Sequence, residues 1–294
     1  AFLNHRLNNN LNIRGGLMLV PMGIINIYHE STTFNGVERP RIDKYIAPTT
    51  WREIGLGISG NLPAASLRYQ AYVLNGFNGY NGSPNLGGGS GLRGGRQKAA
   101  ESYISAPNFT GRVSYYGILG LNAGISYYTG KTQSTLYNGL DPDVDAAVEQ
   151  ADSSVVGLNM LGFDLRYQTN GLHAKGQLYY NMLNNTESYN TFTGSDLGSV
   201  MTGYYAELAY DVLHSNRSTR MQLLPFFRYS QYNTHAQTEG ELQANEAYQK
   251  TIMTTGLTLK LSKGAAFKTD VQFRSSEAED EYNKYFNMGV AFWF

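Results

Sequence analysis

The sequence is poor in charge and contains no cysteine. Asp, Glu, Lys and Arg make up 16% of its 294 residues, whereas soluble domains typically contain about 25%. The 23 basic and 23 acidic residues cancel, so the composition gives no indication of a nucleic-acid partner. Without cysteine the chain can form no disulfide, which is compatible with a protein outside the cytoplasm but is also common inside it.

Long apolar runs are also absent. No stretch approaches the ~18 to 20 apolar residues that a membrane-spanning helix requires, and the longest candidate, residues 17–25, is interrupted by Pro21 and Gly23. The sequence opens at Ala1 without the basic and apolar leader of a secreted precursor. We expect that such a leader has been removed, or that further N-terminal residues precede Ala1.

Alternation of apolar and polar residues is abundant. In residues 172–183, for example, Leu178 and Tyr180 share one parity, and Gln177 and Tyr179 share the other. Such period-two segments, about ten residues long and bounded by turn-forming residues, predict β-strands. The predicted strands are 11–20, 51–60, 66–75, 109–118, 121–130, 155–168, 172–183, 200–212, 219–233, 248–261, 265–275 and 281–294, with 2–7 as the tail of a thirteenth. They exceed the usual five or six residues and match tilted strands that cross a bilayer.

Short and long connections alternate along the chain. Residues 61–65 and 169–171 are short connections, whereas 21–50 and 76–108 are long. This rhythm is typical of membrane barrels with short periplasmic turns and long extracellular loops. We predict an all-β fold in which residues 1–294 form a single domain, a closed antiparallel transmembrane β-barrel of about 14 strands, or 16. Because such barrels normally have an even number of strands, we expect that the chain lacks one or more N-terminal strands.

Tyrosine is the most frequent aromatic residue, with 23 copies against two tryptophans. Adjacent tyrosines occur near strand ends at Tyr115-Tyr116, Tyr127-Tyr128, Tyr179-Tyr180 and Tyr204-Tyr205. Membrane barrels carry aromatic girdles at both interfaces, so we predict that these pairs belong to the girdles.

The last eight residues, NMGVAFWF, form the most specific motif. Asn287, Gly289, Phe292 and Phe294 fill the pattern polar, any, Gly, any, any, aromatic, any, aromatic. This pattern resembles the β-signal that the outer-membrane assembly machinery of Gram-negative bacteria recognises. The resemblance implies a protein of the outer membrane, with that machinery as its partner during biogenesis and outer-membrane lipids as its surroundings.

A second resemblance lies in residues 19–55. It is carried by Val20-Pro21-Met22-Gly23, His29-Glu30, Phe34-Asn35-Gly36-Val37-Glu38-Arg39-Pro40 and Thr50-Trp51-Arg52-Glu53. These pieces resemble the early-strand and first-long-loop region of Gram-negative porin-like proteins related to the phosphate-selective porins. The resemblance implies a porin. Because no ladder of arginines is evident, phosphate specificity is not carried over to particular residues.

Strand parity assigns charged residues to the inner wall of the barrel. The assigned cations are Arg14, Arg68, Arg112, Arg166, Lys175, Arg228, Lys260, Lys268 and Arg274, and the assigned anions are Glu53, Asp164, Glu207, Asp211 and Asp270. Charged linings set ion selectivity in pores, and this excess of cations predicts a mild anion preference. Alternatively, paired charges only tie strands together.

The first long connection is too long and too charged for a passive linker. We predict Glu38, Arg39, Arg41 and Lys44 as constriction candidates if it folds into the lumen. Otherwise it is a solvated surface loop. The glycine-rich residues 86–95 predict a flexible external loop.

The sequence favours a passive porin that admits small polar or anionic solutes. A barrel subunit or scaffold of a larger envelope complex, with a plugged pore, is the alternative, and a homo-oligomer is equally compatible with the sequence. A barrel lipase or protease would have to rely on His214-Ser215-Asn216, which falls in a short turn, so we do not expect an enzyme. No histidine spacing indicates a metal site, and we expect no cofactor.

Overall fold

The computed structural model describes residues 1–28, 30–97, 102–216, 218–279 and 281–293. Within them, thirteen strands form one antiparallel sheet in which neighbours follow the order of the sequence. These strands are β1 (Phe2–Arg6), β2 (Asn12–Leu19), β3 (Arg52–Leu62), β4 (Leu67–Leu74), β6 (Asn108–Tyr115), β7 (Leu121–Lys131), β9 (Gly157–Thr169), β10 (Leu172–Asn184), β11 (Val200–Tyr210), β12 (Gln222–Gln237), β13 (Gln249–Lys260), β14 (Ala265–Ser276) and β15 (Asn283–Phe292). Two short strands, β5 (Asn78–Tyr80) and β8 (Gln133–Ser134), pair in parallel between long connections.

Within the described residues, four helices lie in the long connections. They are α1 (Gly23–Ile27), α2 (Ile42–Tyr45), α3 (Asp145–Ser153) and α4 (Thr186–Thr193). Single 3-10 turns occur at Pro63–Ala65, Arg93–Gly95, Thr135–Tyr137 and Glu246–Tyr248. Among the described residues, no helix combines the length and the apolar character needed to cross a membrane.

The thirteen strands predicted from alternation are confirmed, although some of their ends move by several residues. β6 ends at Tyr115 rather than at 118, because Leu121 N donates to Ile118 O (2.9 Å) and closes a turn there. In the part of the chain that the structure describes, β1 and β15 are the edge strands and each pairs with one neighbour. The all-β antiparallel architecture is therefore established, and closure into a barrel of 14 or 16 strands stays a prediction.

The two faces of the sheet differ in chemistry. On β10 the side chains of Gln177 and Tyr179 are buried, whereas Leu178 and Tyr180 are 44% and 40% exposed. Buried side chains of this face from strands between β2 and β13 pack in one apolar cluster, so we call that face inner and the space beside it the lumen. The outer face exposes apolar side chains along the sheet, among them Ile54, Leu56, Val113, Ile125, Phe163, Leu208, Phe227, Leu257, Phe267 and Met288.

The adjacent tyrosines divide between these faces. Neighbouring residues on a strand point to opposite sides, so one member of each pair is directed inward. Tyr127 and Tyr180 are exposed on the outer face, whereas Tyr128 and Tyr179 are buried in the lumen. The prediction that both members of a pair belong to an outer girdle is wrong.

The connection between β2 and β3 folds into the lumen. Asn26 holds its base, because its Nδ2 donates to Val20 O (2.7 Å) and Trp51 O (3.1 Å) while its Oδ1 accepts from Trp51 N (2.9 Å). The question left open by the sequence is thus answered, and we call residues 21–50 the lumen loop.

An apolar core fills the long-loop end of the lumen, where the long connections emerge. Trp51 stacks on Phe77 with 4.2 Å between ring centroids, and its ring lies 4.8 Å from that of Tyr128. Ile42 and Ile46 of the lumen loop are fully buried in the same cluster. Burying such a side chain contributes roughly 1.5–3 kcal/mol, so packing as well as polar contacts holds the loop.

The second long connection, between β4 and β6, also packs inward. Leu86 and Leu92 belong to the apolar core, and Leu92 N donates to Tyr45 O (3.0 Å). A Cβ at Gly91 (φ +56°) would lie 2.0 Å from the same carbonyl, so glycine permits this close approach. The prediction of a flexible external loop for residues 86–95 is wrong, because the segment lies against the lumen loop.

Candidate functional site

The charged residues assigned to the inner wall all have the inner parity in the structure. These residues are Arg14, Glu53, Arg68, Arg112, Asp164, Arg166, Lys175, Glu207, Asp211, Arg228, Lys260, Lys268, Asp270 and Arg274. Four of them form a row across neighbouring strands, because Arg166 pairs with Lys175, Lys175 with Glu207, and Glu207 with Arg228. That these residues line a path for solutes stays a prediction.

Buried ion pairs neutralise part of the wall. Arg112 makes a bidentate contact with Asp164, at 2.5 and 2.8 Å. Glu207 accepts from Arg228 Nε (2.8 Å) and Nη2 (2.5 Å), and Lys175 Nζ lies 3.7 Å from it. Removing one partner of such a pair leaves the other charge buried and unpaired, which is strongly destabilising. These ion pairs therefore hold β-strands of the sheet together.

The lumen loop covers a further group of wall charges. Lys268 Nζ donates to the carbonyl of Ser31 and to Phe34 O (2.6 Å). Asp270 Oδ2 accepts from Val37 N at 2.6 Å. These two wall residues therefore contact the loop backbone instead of open space.

Arg228 and Glu207 are covered in the same way. Arg228 Nη2 donates to Asn35 O at 2.8 Å, and Asn35 Nδ2 donates to Glu207 Oε1 at 2.9 Å. Asn35 thus contacts both members of a wall ion pair, Arg228 through its backbone carbonyl and Glu207 through its side-chain amide. Backbone carbonyls and a side-chain amide of the lumen loop complete the coordination of these charges.

Glu53 was predicted to line the pore, but it is fully buried at the apolar core. Its Oε1 accepts from Trp51 Nε1 at 2.9 Å. The two inward connections fill this end of the lumen, so an inward-pointing side chain here is buried in packed protein and does not line an open channel.

The constriction candidates Glu38, Arg39, Arg41 and Lys44 line one cavity of about 390 Å³ on the lumen loop. Glu38 Oε2 lies 2.7 Å from Arg274 Nη2 on β14 and 3.5 Å from Arg41 Nη2. This triad bridges the loop to the wall. Its side chains are 20–43% exposed, and exposed pairs of this kind typically contribute about 1 kcal/mol or less.

Asp43 of α2 is a buried carboxyl for which the described residues supply no ion pair. Its Oδ1 accepts from Gln177 Nε2 (2.6 Å) and Tyr179 Oη (3.2 Å), and its Oδ2 is buried without a hydrogen-bond partner among the same residues. Burial raises the pKa of Asp43 from 3.8 to about 7, although these hydrogen bonds and the charges of Arg228 and Arg39 lower it. The neutral acid fits this environment better than the carboxylate does.

The opposite end of the lumen, where the short turns lie, contains three adjoining cavities of about 250, 520 and 630 Å³. Tyr28, at the tip of the lumen loop, lines the first and third, Arg166 lines the first and second, and Lys260 lines the second and third. We call these cavities together the vestibule. Its cations are Arg14, Arg68, Arg112, Arg166, Lys175, Arg220, Lys260 and Lys263, and its lining carboxylate among the described residues is Glu30.

Several vestibule cations contact rings instead of carboxylates. The guanidinium of Arg166 lies 4.2 Å from the ring centroid of Tyr28, and that of Arg68 lies 4.8 Å from Tyr116. Among the described residues, no carboxylate oxygen lies within 4.0 Å of Arg14, Arg68 or Arg166. Arg166 Nε is buried without a hydrogen-bond partner in that part of the chain. Guanidinium donors therefore remain available to an anion.

The C-terminal motif lies on the edge strand β15. Asn287 Nδ2 donates to Asp270 Oδ1 (2.8 Å), and a Cβ at Gly289 would lie 3.3 Å from Val37 of the lumen loop. Phe292 is 66% exposed on the outer face, whereas Phe294 lies outside the described residues. Recognition of these residues by the assembly machinery stays a prediction.

The His214-Ser215 pair lies in the turn between β11 and β12. Ser215 Oγ is 3.0 Å from His214 Nε2, and His214 Nδ1 is 3.2 Å from Tyr210 Oη and 3.1 Å from Asp211 O. The serine is exposed in a hydrogen-bonded turn, and these contacts account for the histidine as part of that turn.

Sequence reasoning missed the residues that hold the lumen loop. Asn35 and Asp43 lie in a segment without periodicity, so no pattern assigned them partners. Gln177 and Tyr179 had the inner parity, but parity carries no information about which distant segment they contact. The inward-pointing amide of Gln177, next to Lys175 on the same face, was the available signal.

No protein-family model matches the chain. A curated relative, an uncharacterized protein of Aquifex aeolicus (strain VF5), is 26% identical over 270 residues, which cover 92% of this chain and 59% of that protein. The chain therefore spans less than two thirds of this relative.

Solved structures of porins resemble the chain in fold. The anion-selective porin from Comamonas acidovorans has a TM-score of 0.55 at 14% identity, over 98% of this chain and 75% of that chain. Salmonella typhi OmpF has a TM-score of 0.59 at 12% identity, over 99% and 77%. Pseudomonas putida OprB has a TM-score of 0.53 at 8% identity, over 99% and 70%. The chain has the all-β antiparallel fold of these outer-membrane porins.

Proposed function

We propose that this protein is a channel in the outer membrane of a Gram-negative bacterium, through which small polar solutes diffuse with a preference for anions. The vestibule carries the proposal, because cations outnumber carboxylates among its described lining residues. Such linings raise the local concentration of counter-ions and set selectivity. The porin-like fold and the apolar outer face support the membrane location.

The proposed mechanism requires no cofactor and no reacting group. An anion is attracted by the vestibule, exchanges part of its hydration for guanidinium and ammonium donors, and leaves because each contact is weak. The buried pairs around Glu207 and Asp164 keep the wall rigid without binding solute. The lumen loop narrows the path, and Arg41 and Lys44 extend the cationic surface toward the long-loop side.

Reversal potentials across a planar bilayer test this proposal. In a potassium chloride gradient we expect chloride to be preferred at about 0.1 M salt, and the preference to weaken at about 1 M, where the screening length falls to about 3 Å. Replacing Arg14, Arg68 and Arg166 together by glutamine should reduce the preference. The control replaces two cations outside the vestibule lining, Lys131 and Lys284, by glutamine and should leave the preference unchanged. Cation preference of the unaltered protein would contradict the proposal.

The apolar core favours a second candidate, a plugged barrel that serves as a subunit or scaffold of a larger envelope complex. Trp51, Phe77 and the buried face of α2 fill the long-loop end of the lumen. A reconstituted protein that is folded but gives no single-channel conductance, and that co-purifies with a stoichiometric partner, would favour this candidate over the channel.

A further inference from the structure

The largest cavity of the vestibule, about 630 Å³, combines aromatic and cationic side chains. Tyr28 and Trp293 line it together with three cations, Arg220, Lys260 and Lys263, and one carboxylate, Glu30. The aromatic residues are 37% and 58% exposed, so part of their apolar surface is free to contact a ligand. Hydrated inorganic ions gain nothing from such surface, whereas an aromatic ligand does.

We infer that this cavity is a binding site for organic anions with a flat apolar body, of which aromatic carboxylates are the simplest. The inference rests on the proposed anion channel and names a ligand class for its vestibule. Lys260 neutralises the carboxylate, Lys263 and Arg220 add positive charge beside it, and the ring lies against Trp293 and Tyr28. Ligand sites typically have volumes of about 300–1,000 Å³, and this cavity falls within that range.

The neighbouring cavity of about 250 Å³ has a different character. It is lined by Arg14, Arg68 and Arg166 among neutral polar residues, and it is smaller than the usual ligand site. It therefore suits a compact ion or the charged end of a longer molecule. Since the cavities adjoin, an organic anion bound in the larger one remains on a continuous cationic surface.

Trp293 provides a local probe of binding that does not depend on an open pore. The other tryptophan, Trp51, is fully buried in the apolar core, so a Trp51→Phe variant in detergent leaves only the vestibule indole. We expect saturable quenching by 4-nitrobenzoate and at least about tenfold weaker binding of the neutral 4-nitrobenzamide, because a charge-assisted contact is lost. Titration calorimetry on the unaltered protein makes the same comparison if the variant fails to fold.

Substitution of one cation locates the site. Lys260→Gln should weaken 4-nitrobenzoate binding by about tenfold or more, whereas Lys284→Gln, an exposed lysine on β15 outside the cavity lining, should leave it unchanged. Equal binding of acid and amide would overturn the inference. Displacement of 4-nitrobenzoate by inorganic phosphate at lower concentration would overturn it too, since the vestibule would then select compact oxyanions.

The two proposals fail in distinguishable ways. Anion preference in reversal potentials without 4-nitrobenzoate binding overturns the ligand class and leaves the channel intact. Saturable 4-nitrobenzoate binding without any conductance supports the site and contradicts the channel.

Discussion

Replacing Asp43 by asparagine should abolish a pH dependence of lumen-loop docking. Burial raises the pKa of Asp43 to about 7, whereas the ordinary value of 3.8 applies once the loop is released into water. The docked loop therefore holds the proton more tightly than the released loop. The contribution of Asp43 to docking is largest below about pH 4, falls as the pH rises to about 7, and is constant above that.

The expected effect is large compared with a single contact. The difference between 3.8 and about 7 corresponds to roughly 4 kcal/mol, at about 1.4 kcal/mol for each tenfold change in proton affinity. In Asp43→Asn the amide oxygen can still accept from Gln177 and Tyr179. The new NH₂ replaces Oδ2, toward which no donor of the described residues points. Docking of the variant loop should thus lack the pH dependence that Asp43 contributes between about pH 4 and 7.

The absence of cysteine makes the assay direct. Ala47→Cys places a thiol in the lumen loop where the parent side chain is 2% exposed, and Ala146→Cys places one on the exposed face of α3. The labelling rate of the Ala47→Cys variant is divided by that of the Ala146→Cys variant, so that the pH dependence of thiol ionisation cancels. We expect this ratio to rise toward about tenfold per pH unit between pH 5 and 7, and to stay flat in the Asp43→Asn background. The same rise in both backgrounds would refute the reasoning.

Three further variants probe the wall, the sheet and assembly. Arg112→Ala leaves the Asp164 carboxylate buried without its guanidinium, so the free energy of unfolding should fall by roughly 3–5 kcal/mol. In detergent gels, the folded band should then convert to the unfolded band at a lower temperature. Arg68→Ala is the control, and an equal loss in both variants would contradict the structural role of the Arg112–Asp164 pair. Gly57→Ala places a Cβ 2.2 Å from a carbonyl of the neighbouring strand, so the folded yield should fall, and an unchanged yield would show that the strands separate easily. Phe292→Ala should reduce the fraction that assembles in the outer membrane, measured by protease protection; undiminished assembly would argue against the terminal motif.

The sheet was predictable because its two faces meet different surroundings. On β10, shifting the register by one residue would exchange Leu178 and Gln177 between faces, so the chain has to alternate, and alternation is visible in the sequence. The same logic assigned the inner-face charges. It failed for Glu53, because parity says which way a side chain points and does not say whether space or packed protein lies there.

The destination of the lumen loop was not predictable from local pattern. Asn35 and Glu207 are 172 residues apart, and Val37 and Asp270 are 233 apart. Lys268 donates to backbone carbonyls of the loop. Because every residue type has a backbone carbonyl, the residue types in the loop do not indicate this contact. A count of charges therefore predicted an excess of cations on the wall, but could not show which of them the loop neutralises.

The contacts of the lumen loop also impose an order on folding. The loop follows β2, near the start of the sequence, yet its anchors lie on strands from β10 to β14, between 134 residues from Asp43 to Gln177 and 237 residues from Ser31 to Lys268. Contacts between such distant segments form late, because the chain between them must first be ordered. The long-range contacts of the loop can form only after the strands from β10 to β14 have paired. A loop held by all of these contacts therefore indicates that these strands are in place.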